Sequence, residues 1–156
     1  MKLIVGLGNP GEEYAASRHN VGFHCVRALA RKHHLEFDKK RAQARIAQGM
    51  ILALPVVLAR PQTYMNLSGQ SVQGLLHWLK ITPADLLVIF DDLDLPLGSM
   101  RVSYNRGSGG HKGVESIMTA LKTREFIRIR IGIGKKADVE KFILSKFSSK
   151  ECEALT

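Results

Sequence analysis

One stretch decides the fold: residues 85–98, which read DLLVIFDDLDLPLG. The five apolar residues from Leu86 to Phe90 form a continuous run that predicts a central strand. Acidic residues follow at once, and Pro96 with Gly98 marks a turn. Segments on either side of this strand alternate between strand and helix signals, which is typical of an α/β fold.

In some flanking segments apolar residues recur every second residue, which predicts strands, and in others they recur about every 3.6 residues, which predicts helices. Strands are expected over residues 2–7, 42–48, 51–59, 100–104 and 126–133, and helices over residues 20–34, 68–79, 114–121 and 139–147. Asn20 is expected to cap the first helix, and Gly49 to mark the turn between two strands. In the last strand Arg128 and Arg130 alternate with isoleucines, which predicts one basic and one apolar face.

These elements predict an α/β fold, a single-domain three-layer sandwich over residues 1–156, in which a mixed, twisted β-sheet is flanked by helices. A length of 156 residues with 45% hydrophobic and 24% charged residues fits one globular core and excludes a disordered chain or a coiled coil. No apolar run approaches the roughly 20 residues of a membrane helix, and the N-terminus lacks a signal-peptide pattern. We therefore expect a cytoplasmic protein without a membrane partner, in which Cys25 and Cys152 are reduced thiols.

The charge distribution indicates an anionic partner. The formal net charge is +9, from 23 Lys and Arg against 14 Asp and Glu. Residues 85–94 hold four acids and no base, whereas residues 95–150 hold twelve bases and four acids. Such a balance is typical of proteins that bind nucleic acid, although a generically basic protein remains an alternative.

The loop after the first strand reads GLGNPG, residues 6–11, and matches the G-x-G-x-x-G fingerprint of dinucleotide-binding proteins. Pro10 removes one backbone amide, however, and the helical pattern begins only near Asn20. We therefore interpret GLGNPG as a simple turn, and the alternative, that the chain is a dinucleotide-binding oxidoreductase, is disfavoured. The chain has no Walker loop, no nucleophile elbow and no zinc-ligand spacing among its six histidines, so we expect a site without metal or cofactor.

Polar side chains stand where several predicted elements begin or end. In an open α/β sheet ligands bind beyond the carboxyl ends of the strands, so these side chains are expected to converge. Taken singly, each has a local explanation as a turn former, cap or loop acid. The polar residues at these element ends are Asn9, His19, Asn66, Asp91, His111 and Lys112.

Six sequence blocks, spread along nearly the whole chain, carry a specific resemblance. They are GLGNPG at 6–11, Tyr14 followed by RHN at 18–20 and Gly22, PQTYMNLSG at 61–69, DDLDLPLG at 91–98, GGHKG at 109–113, and RIRIGIG at 128–134. The sequence resembles the bacterial-type peptidyl-tRNA hydrolase family. Its members hydrolyse the ester that joins a peptide to the 3′ ribose of tRNA, without a metal.

The resemblance implies three catalytic residues. His19 would be the general base that takes a proton from the attacking water, a role suited to an imidazole that is largely neutral at cytosolic pH. Asp91 would hold the imidazole and stabilise its charged form. Asn9 would help to distinguish a blocked α-amine from a free one.

The resemblance also implies the substrate-binding residues. Asn66 would orient substrate and water, while Tyr14, Tyr64 and Met65 would contact the terminal nucleotide and the peptide end. Arg101 and Arg130 would bind phosphates of the acceptor stem. The implied partner is peptidyl-tRNA, bound through its acceptor stem and 3′ end by a monomer that has no DNA partner.

The sequence departs from the family's pattern in two places. Lys112 stands where most relatives have asparagine, so it either contacts an RNA phosphate or lowers substrate affinity. Ser103 occupies a second position that is basic in relatives, and Arg106 is the candidate substitute. A non-catalytic RNA-binding relative of the same fold is therefore the alternative function. Relatives usually continue through a further C-terminal helix, whereas the sequence given ends at Thr156.

Overall fold

A computed structural model describes residues 1–11 and 20–133 of the chain. The strands are β1 (Lys2–Gly6), β2 (Lys39–Arg41), β3 (Ala44–Ile51), β4 (Leu54–Pro61), β5 (Leu86–Asp92), β6 (Met100–Tyr104) and β7 (Ile127–Gly132). The helices are α1 (Val21–Lys32), α2 (Ser68–Leu79) and α3 (Lys112–Leu121), with 3₁₀ turns at Met65–Leu67 and Pro83–Asp85. The last predicted helix, over residues 139–147, lies outside the described residues.

All seven strands belong to one sheet with the order β2-β3-β4-β1-β5-β7-β6. The inner pairs β4–β1, β1–β5 and β5–β7 are parallel, and the outer pairs β2–β3, β3–β4 and β6–β7 are antiparallel. Because the parallel strands run in the same direction, β1, β4, β5 and β7 all end at one edge of the sheet. Polar residues that follow these strands are therefore brought together.

Two apolar layers cover the sheet. The layer on one face is built around α1 and includes Val26, Leu29 and Ile89. The layer on the other face is built around α2 and α3 and includes Leu75, Ile117 and Phe126. This arrangement confirms the predicted α/β fold with helices on both faces of a mixed sheet. None of the helices in residues 1–11 and 20–133 is long and apolar enough to span a membrane.

The glycines of the GLGNPG block are explained by packing against α1. A Cβ atom at Gly6 would lie 2.1 Å from the carbonyl oxygen of Gly22, and one at Gly8 would lie 2.7 Å from the ring of Phe23. Since α1 begins at Val21, it does not start within this loop as a dinucleotide-binding helix does. The loop is a close contact between strand and helix.

The turn predicted at Gly49 was wrong. Gly49 lies within β3 and pairs with Val56, and the turn is formed instead by Leu52 and Ala53, with φ of 48° and 67°. A Cβ atom at Gly49 would lie 2.2 Å from the side chain of Leu35. This glycine therefore makes room for a neighbouring side chain within the sheet. The short strand β2 was not predicted, since all three of its residues are charged and exposed.

Two further expectations were wrong. Arg128 does not contribute to an exposed basic face: its side chain is fully buried, with its guanidinium 4.1 Å from the ring centre of Phe126. Burial, followed by the charges of Arg124 and Arg106, lowers the pKa of Arg128. Asn20 occupies the N-cap position of α1 but makes no capping hydrogen bond, because its side chain is bonded elsewhere.

Candidate active site

A cavity of about 530 Å³ opens at the carboxyl edge of the sheet, where β1 and β5 end beside the glycine-rich loop before α3. The side chains around it come from five separate parts of the chain. They include Asn9, Met65, Asp91, His111, Lys112 and Arg130. The cavity thus brings together residues up to 121 positions apart, the separation of Asn9 from Arg130.

Asp91 and His111 form a buried hydrogen-bonded pair in this cavity. Nε2 of His111 lies 2.7 Å from Oδ1 of Asp91, and the two side chains are 8% and 2% exposed. Asp91 lies near the carboxyl end of the central strand β5, and His111 is the N-cap residue of α3. The His111 ring also meets the ring of Phe90 edge to face, with 4.9 Å between the centroids.

The other contacts of His111 determine which ring nitrogen carries the proton. Nδ1 accepts hydrogen bonds from the backbone N–H groups of Gly113 and Val114, at 3.1 and 3.2 Å. A nitrogen that accepts two N–H groups is unprotonated, so the ring proton lies on Nε2 and is donated to Asp91. Because both ring nitrogens are engaged in hydrogen bonds, His111 orients the carboxylate of Asp91.

Asn9 is held from two sides. Its Oδ1 accepts a hydrogen bond from the backbone N–H of Met65 at 2.7 Å. Its backbone N–H donates to Oδ1 of Asn20 at 2.8 Å, and its carbonyl accepts from Nδ2 of Asn20 at 2.9 Å. With Oδ1 assigned as the acceptor, Nδ2 of Asn9 is left as the hydrogen-bond donor on the cavity side. These contacts also explain why Asn20 does not cap α1.

Met65 and the start of α3 pack closely. A Cβ atom at Gly113 would lie 2.6 Å from Sδ of Met65 and 3.0 Å from Cε1 of His111. Met65 itself is 8% exposed. Glycine at this position lets the thioether of Met65 and the imidazole of His111 lie against the first turn of α3.

A second, shallower groove lies between α2 and α3, and Lys112 lines both it and the cavity. Asn66 is exposed and lines this groove, not the cavity. Tyr64 is 56% exposed. Of the PQTYMN residues, only Met65 lines the cavity that holds Asp91.

The cations near the cavity differ in how they are held. Nη1 of Arg130 lies 3.1 Å from Oδ2 of Asp92, and Nε donates to Oγ of Ser103 at 3.0 Å, with both charged side chains 13% exposed. Arg101 is exposed on β6, directly opposite Arg130 in the antiparallel register, and does not line the cavity. Arg106 and Lys112 line the cavity and are exposed.

A family model described as peptidyl-tRNA hydrolase matches residues 3–156 of the chain. The chain belongs to the peptidyl-tRNA hydrolase family. A peptidyl-tRNA hydrolase of Herpetosiphon aurantiacus is 53% identical over 99% of this chain and 77% of its own length. One of Dehalococcoides mccartyi is 48% identical over 99% of this chain and 85% of its own length.

The fold comparison agrees. The crystal structure of peptidyl-tRNA hydrolase from Acinetobacter baumannii matches this chain with a TM-score of 0.84 and 36% identity, covering 98% of this chain and 83% of the other. The mixed seven-stranded sheet with helices on both faces is therefore the fold of the peptidyl-tRNA hydrolase family.

Two site residues expected from the family resemblance, Tyr14 and His19, lie outside the described residues. Two contacts were not predicted from sequence: His111 as the partner of Asp91, and Asp92 as the partner of Arg130. His111 stood in the sequence as a polar residue directly before a predicted helix. That position signals an N-cap, but no local pattern names Asp91, twenty residues away, as its partner.

Proposed function

We propose that this chain hydrolyses the ester bond between peptide and tRNA in peptidyl-tRNA and so releases free tRNA. The observation that carries the proposal is a cavity, in a member of the peptidyl-tRNA hydrolase family, that holds a donor amide on Asn9 and a buried carboxylate on Asp91. Each group is oriented by its own hydrogen bond, to Met65 and to His111 respectively. Preorganised polar groups of this kind stabilise charge that develops during acyl transfer.

We assign the general base to His19. Among the described residues, His111 is the histidine that lines the cavity, and both of its nitrogens are engaged. A base is required because water must lose a proton as it attacks the ester carbonyl. A carboxylate has two oxygens and can accept from more than one donor, so Asp91 can hold His111 and the charged form of His19 together.

The donor amide of Asn9 is suited to the substrate's carbonyl oxygens. Its Nδ2 can donate to a peptide carbonyl of the substrate, which an aminoacyl-tRNA with a free amine lacks, or to the oxyanion that forms on attack. The contact with the peptide carbonyl favours a substrate whose α-amine is already acylated, whereas the contact with the oxyanion would assist hydrolysis of either substrate. This preference protects ordinary aminoacyl-tRNA from hydrolysis.

The remaining side chains would bind the tRNA and the peptide. Lys112 stands at the first turn of α3, where its charge adds to the positive end of the helix dipole, and we assign it to a phosphate of the 3′ end. Arg130 and Arg101, with Arg106, would bind the acceptor stem. Tyr14, Tyr64 and Met65 would contact the terminal nucleotide and the peptide end, and Asn66 would bind the substrate along the α2–α3 groove.

The decisive experiment is incubation with N-acetylaminoacyl-tRNA and, separately, with unblocked aminoacyl-tRNA, each with and without a chelator. We expect release of the N-acetylamino acid, little release from the unblocked substrate, and no effect of the chelator, since we propose a metal-independent enzyme. Binding of tRNA without release would instead indicate a non-catalytic RNA-binding relative. We further propose that the enzyme acts in the cytoplasm as a monomer, which sedimentation of the active fraction would test.

A further inference from the structure

Two arginines lie side by side on the antiparallel pair β3–β4. Arg45 and Arg60 are direct partners in the register of these strands. Side chains in such positions lie on the same face of the sheet, with Cβ atoms about 5 Å apart, and like charges there repel each other. A sheet position that places two guanidinium groups together calls for a compensating anion.

Arg60 is also buried. Its residue exposure is 9%, and its Nε is a buried donor that has no hydrogen-bond partner within residues 1–11 and 20–133. The guanidinium lies 4.5 Å from the ring centre of Phe37 and 5.9 Å from that of Phe23. Among the described residues, no carboxylate forms an ion pair with it. Aromatic faces attract a cation but offer its N–H groups no acceptor of the strength that a carboxylate or phosphate provides.

A third cation adds to the same field. The pKa of Arg60 is lowered to about 10 by burial first, and then by the charges of Arg27 and Arg45. That value is still well above neutral pH, so the side chain stays charged. Arg27 is exposed on α1, the helix that also contains Phe23, and it brings a positive charge to the face of the sheet against which Phe37 packs.

Arg128, the second buried arginine among the described residues, is held by hydrogen bonds within the fold. Arg128 also lies against an aromatic ring, but its Nη1 donates to the carbonyl oxygens of Arg124 and Phe126, at 3.0 and 3.2 Å. Its Nε and Nη2 have no hydrogen-bond partner among the described residues, so it is the two carbonyl oxygens on Nη1 that partly compensate its charge. Within the part of the chain that the structure describes, Arg60 has ring contacts but no carbonyl acceptor, so its guanidinium keeps donors that an anion can use.

The surroundings indicate which anion this ligand is. Residues 27–45, which flank the site along the chain, hold seven Lys and Arg against two Asp and Glu. Such a cationic surface suits a polyanion more than a single small carboxylate. The site is also near the cavity, since Phe23, which contacts Arg60, packs under Gly8, the residue before Asn9.

We propose that Arg60, together with Arg45 and Arg27, binds a phosphate group of the tRNA backbone at a site distinct from the cations around the cavity. Arginine suits this role because its planar fork matches two phosphate oxygens. The inference rests on the proposed function in that it takes tRNA as the substrate. In sheet order β4 and β7 are three strands apart, about 14 Å, so this phosphate differs from any that Arg130 contacts.

The test compares four variants with the wild type: Arg60→Gln, Arg60→Lys, Arg45→Gln and, as a matched control, Arg31→Gln, an exposed arginine one turn from Arg27 on α1. Affinity for deacylated tRNA is measured over a range of KCl concentrations. We expect Arg60→Gln to weaken binding about 3- to 10-fold and to reduce the slope of log K against log salt by about 1. Arg60→Lys should be intermediate, and Arg31→Gln should change affinity less than about twofold.

A second measurement separates tRNA from free phosphate as the source of the anion. The thermal midpoint of each protein is compared in inorganic phosphate and in chloride at equal ionic strength. A phosphate-dependent rise that Arg60→Gln abolishes, together with the loss of tRNA affinity, supports the proposal. If phosphate raises the thermal midpoint of the wild type but Arg60→Gln leaves the tRNA affinity and its salt slope unchanged, the anion is not a tRNA phosphate. If Arg60→Gln changes neither the phosphate response nor the tRNA affinity, Arg60 does not form an anion site.

Two safeguards keep the outcome interpretable. If Arg60→Gln fails to fold by circular dichroism, Arg45→Gln and Arg60→Lys carry the comparison, because Arg45 is less buried. Hydrolysis of N-acetylaminoacyl-tRNA is assayed on the same preparations, and Arg60→Gln is expected to raise KM and keep kcat. A wild type that binds tRNA but does not hydrolyse this substrate contradicts the proposed function and leaves the phosphate site intact.

Discussion

Buried charged side chains have opposite charges beside them at the cavity but a like charge beside them on the β3–β4 pair. At the cavity, Arg130 is paired with Asp92 and Ser103, and His111 is paired with Asp91. On the β3–β4 pair, Arg60 lies opposite another arginine and against aromatic rings. Charges that have partners within the fold are held in place before any ligand arrives, which suits groups that must orient a reaction.

Arg60 has no ion-pair partner in the described part of the chain, and we connect this property with ligand binding. A buried cation without a partner costs stability, since desolvation is not offset by an opposite charge. The fold tolerates that cost where a ligand supplies the missing anion. The comparison therefore predicts that breaking the pairs at the cavity impairs the reaction or destabilises the fold, whereas removing the charge of Arg60 weakens tRNA binding without lowering kcat or stability.

The largest expected effect is at the cavity. His19→Ala should lower kcat by about 100-fold to 10,000-fold, because it removes the proposed general base. Affinity for deacylated tRNA should be nearly unchanged, and His77→Ala, an exposed histidine on α2, should retain full activity. A large loss of affinity with a retained rate would reverse the assignment.

The next effect separates two roles of His111. His111→Ala loses both the helix cap and the bond to Asp91, whereas His111→Asn can keep the cap. In urea unfolding we expect the alanine variant to be less stable than the asparagine variant by about 1 kcal/mol. Both should lower kcat, because both release Asp91. Wild-type kcat in His111→Asn would show that this hydrogen bond does not position the carboxylate.

The paired Arg130 and the buried Arg60 are expected to affect the free energy of unfolding in opposite directions. Arg130→Met should lower the free energy of unfolding by about 1–2 kcal/mol, since it leaves the largely buried carboxylate of Asp92 without its cation. Arg60→Met should raise it by about 1 kcal/mol in chloride buffer, since it removes an uncompensated buried charge. Urea unfolding of both variants provides the measurement, and changes of the same sign would contradict the distinction.

The smallest effect concerns salt. Arg130→Ala should weaken tRNA binding and reduce the slope of log K against log salt by about 1. Because the two sites are well separated, the double variant Arg130→Ala/Arg60→Gln should reduce it by about 2. An unchanged slope in Arg130→Ala would remove that residue from the RNA-binding surface, and a double variant no different from either single one would mean that both arginines bind the same phosphate.

Much of the fold could be predicted because its elements are locally periodic. The apolar run at 86–90 became the buried strand β5, and the helical spacing after residue 68 became α2. The errors occurred where a neighbour in space overrode a local signal. Gly49 marked a turn by composition, but within the sheet it accommodates Leu35. Arg128 alternated with isoleucine as an exposed residue would, yet β7 lies between two other strands beneath a helical layer, and the side chain is buried.

The sequence by itself determined most of the elements, though not the short strand β2, and that polar groups such as Asn9 and Asp91 stand at strand ends. Local period and the position of a residue in its element settle these properties. Only the tertiary structure decided which groups meet: Asp91 with His111, Asn9 with the backbone of Met65, and Arg60 with Arg45. The physical reason is that such contacts depend on strand order and register, which join residues far apart in the chain and leave no periodic trace in it.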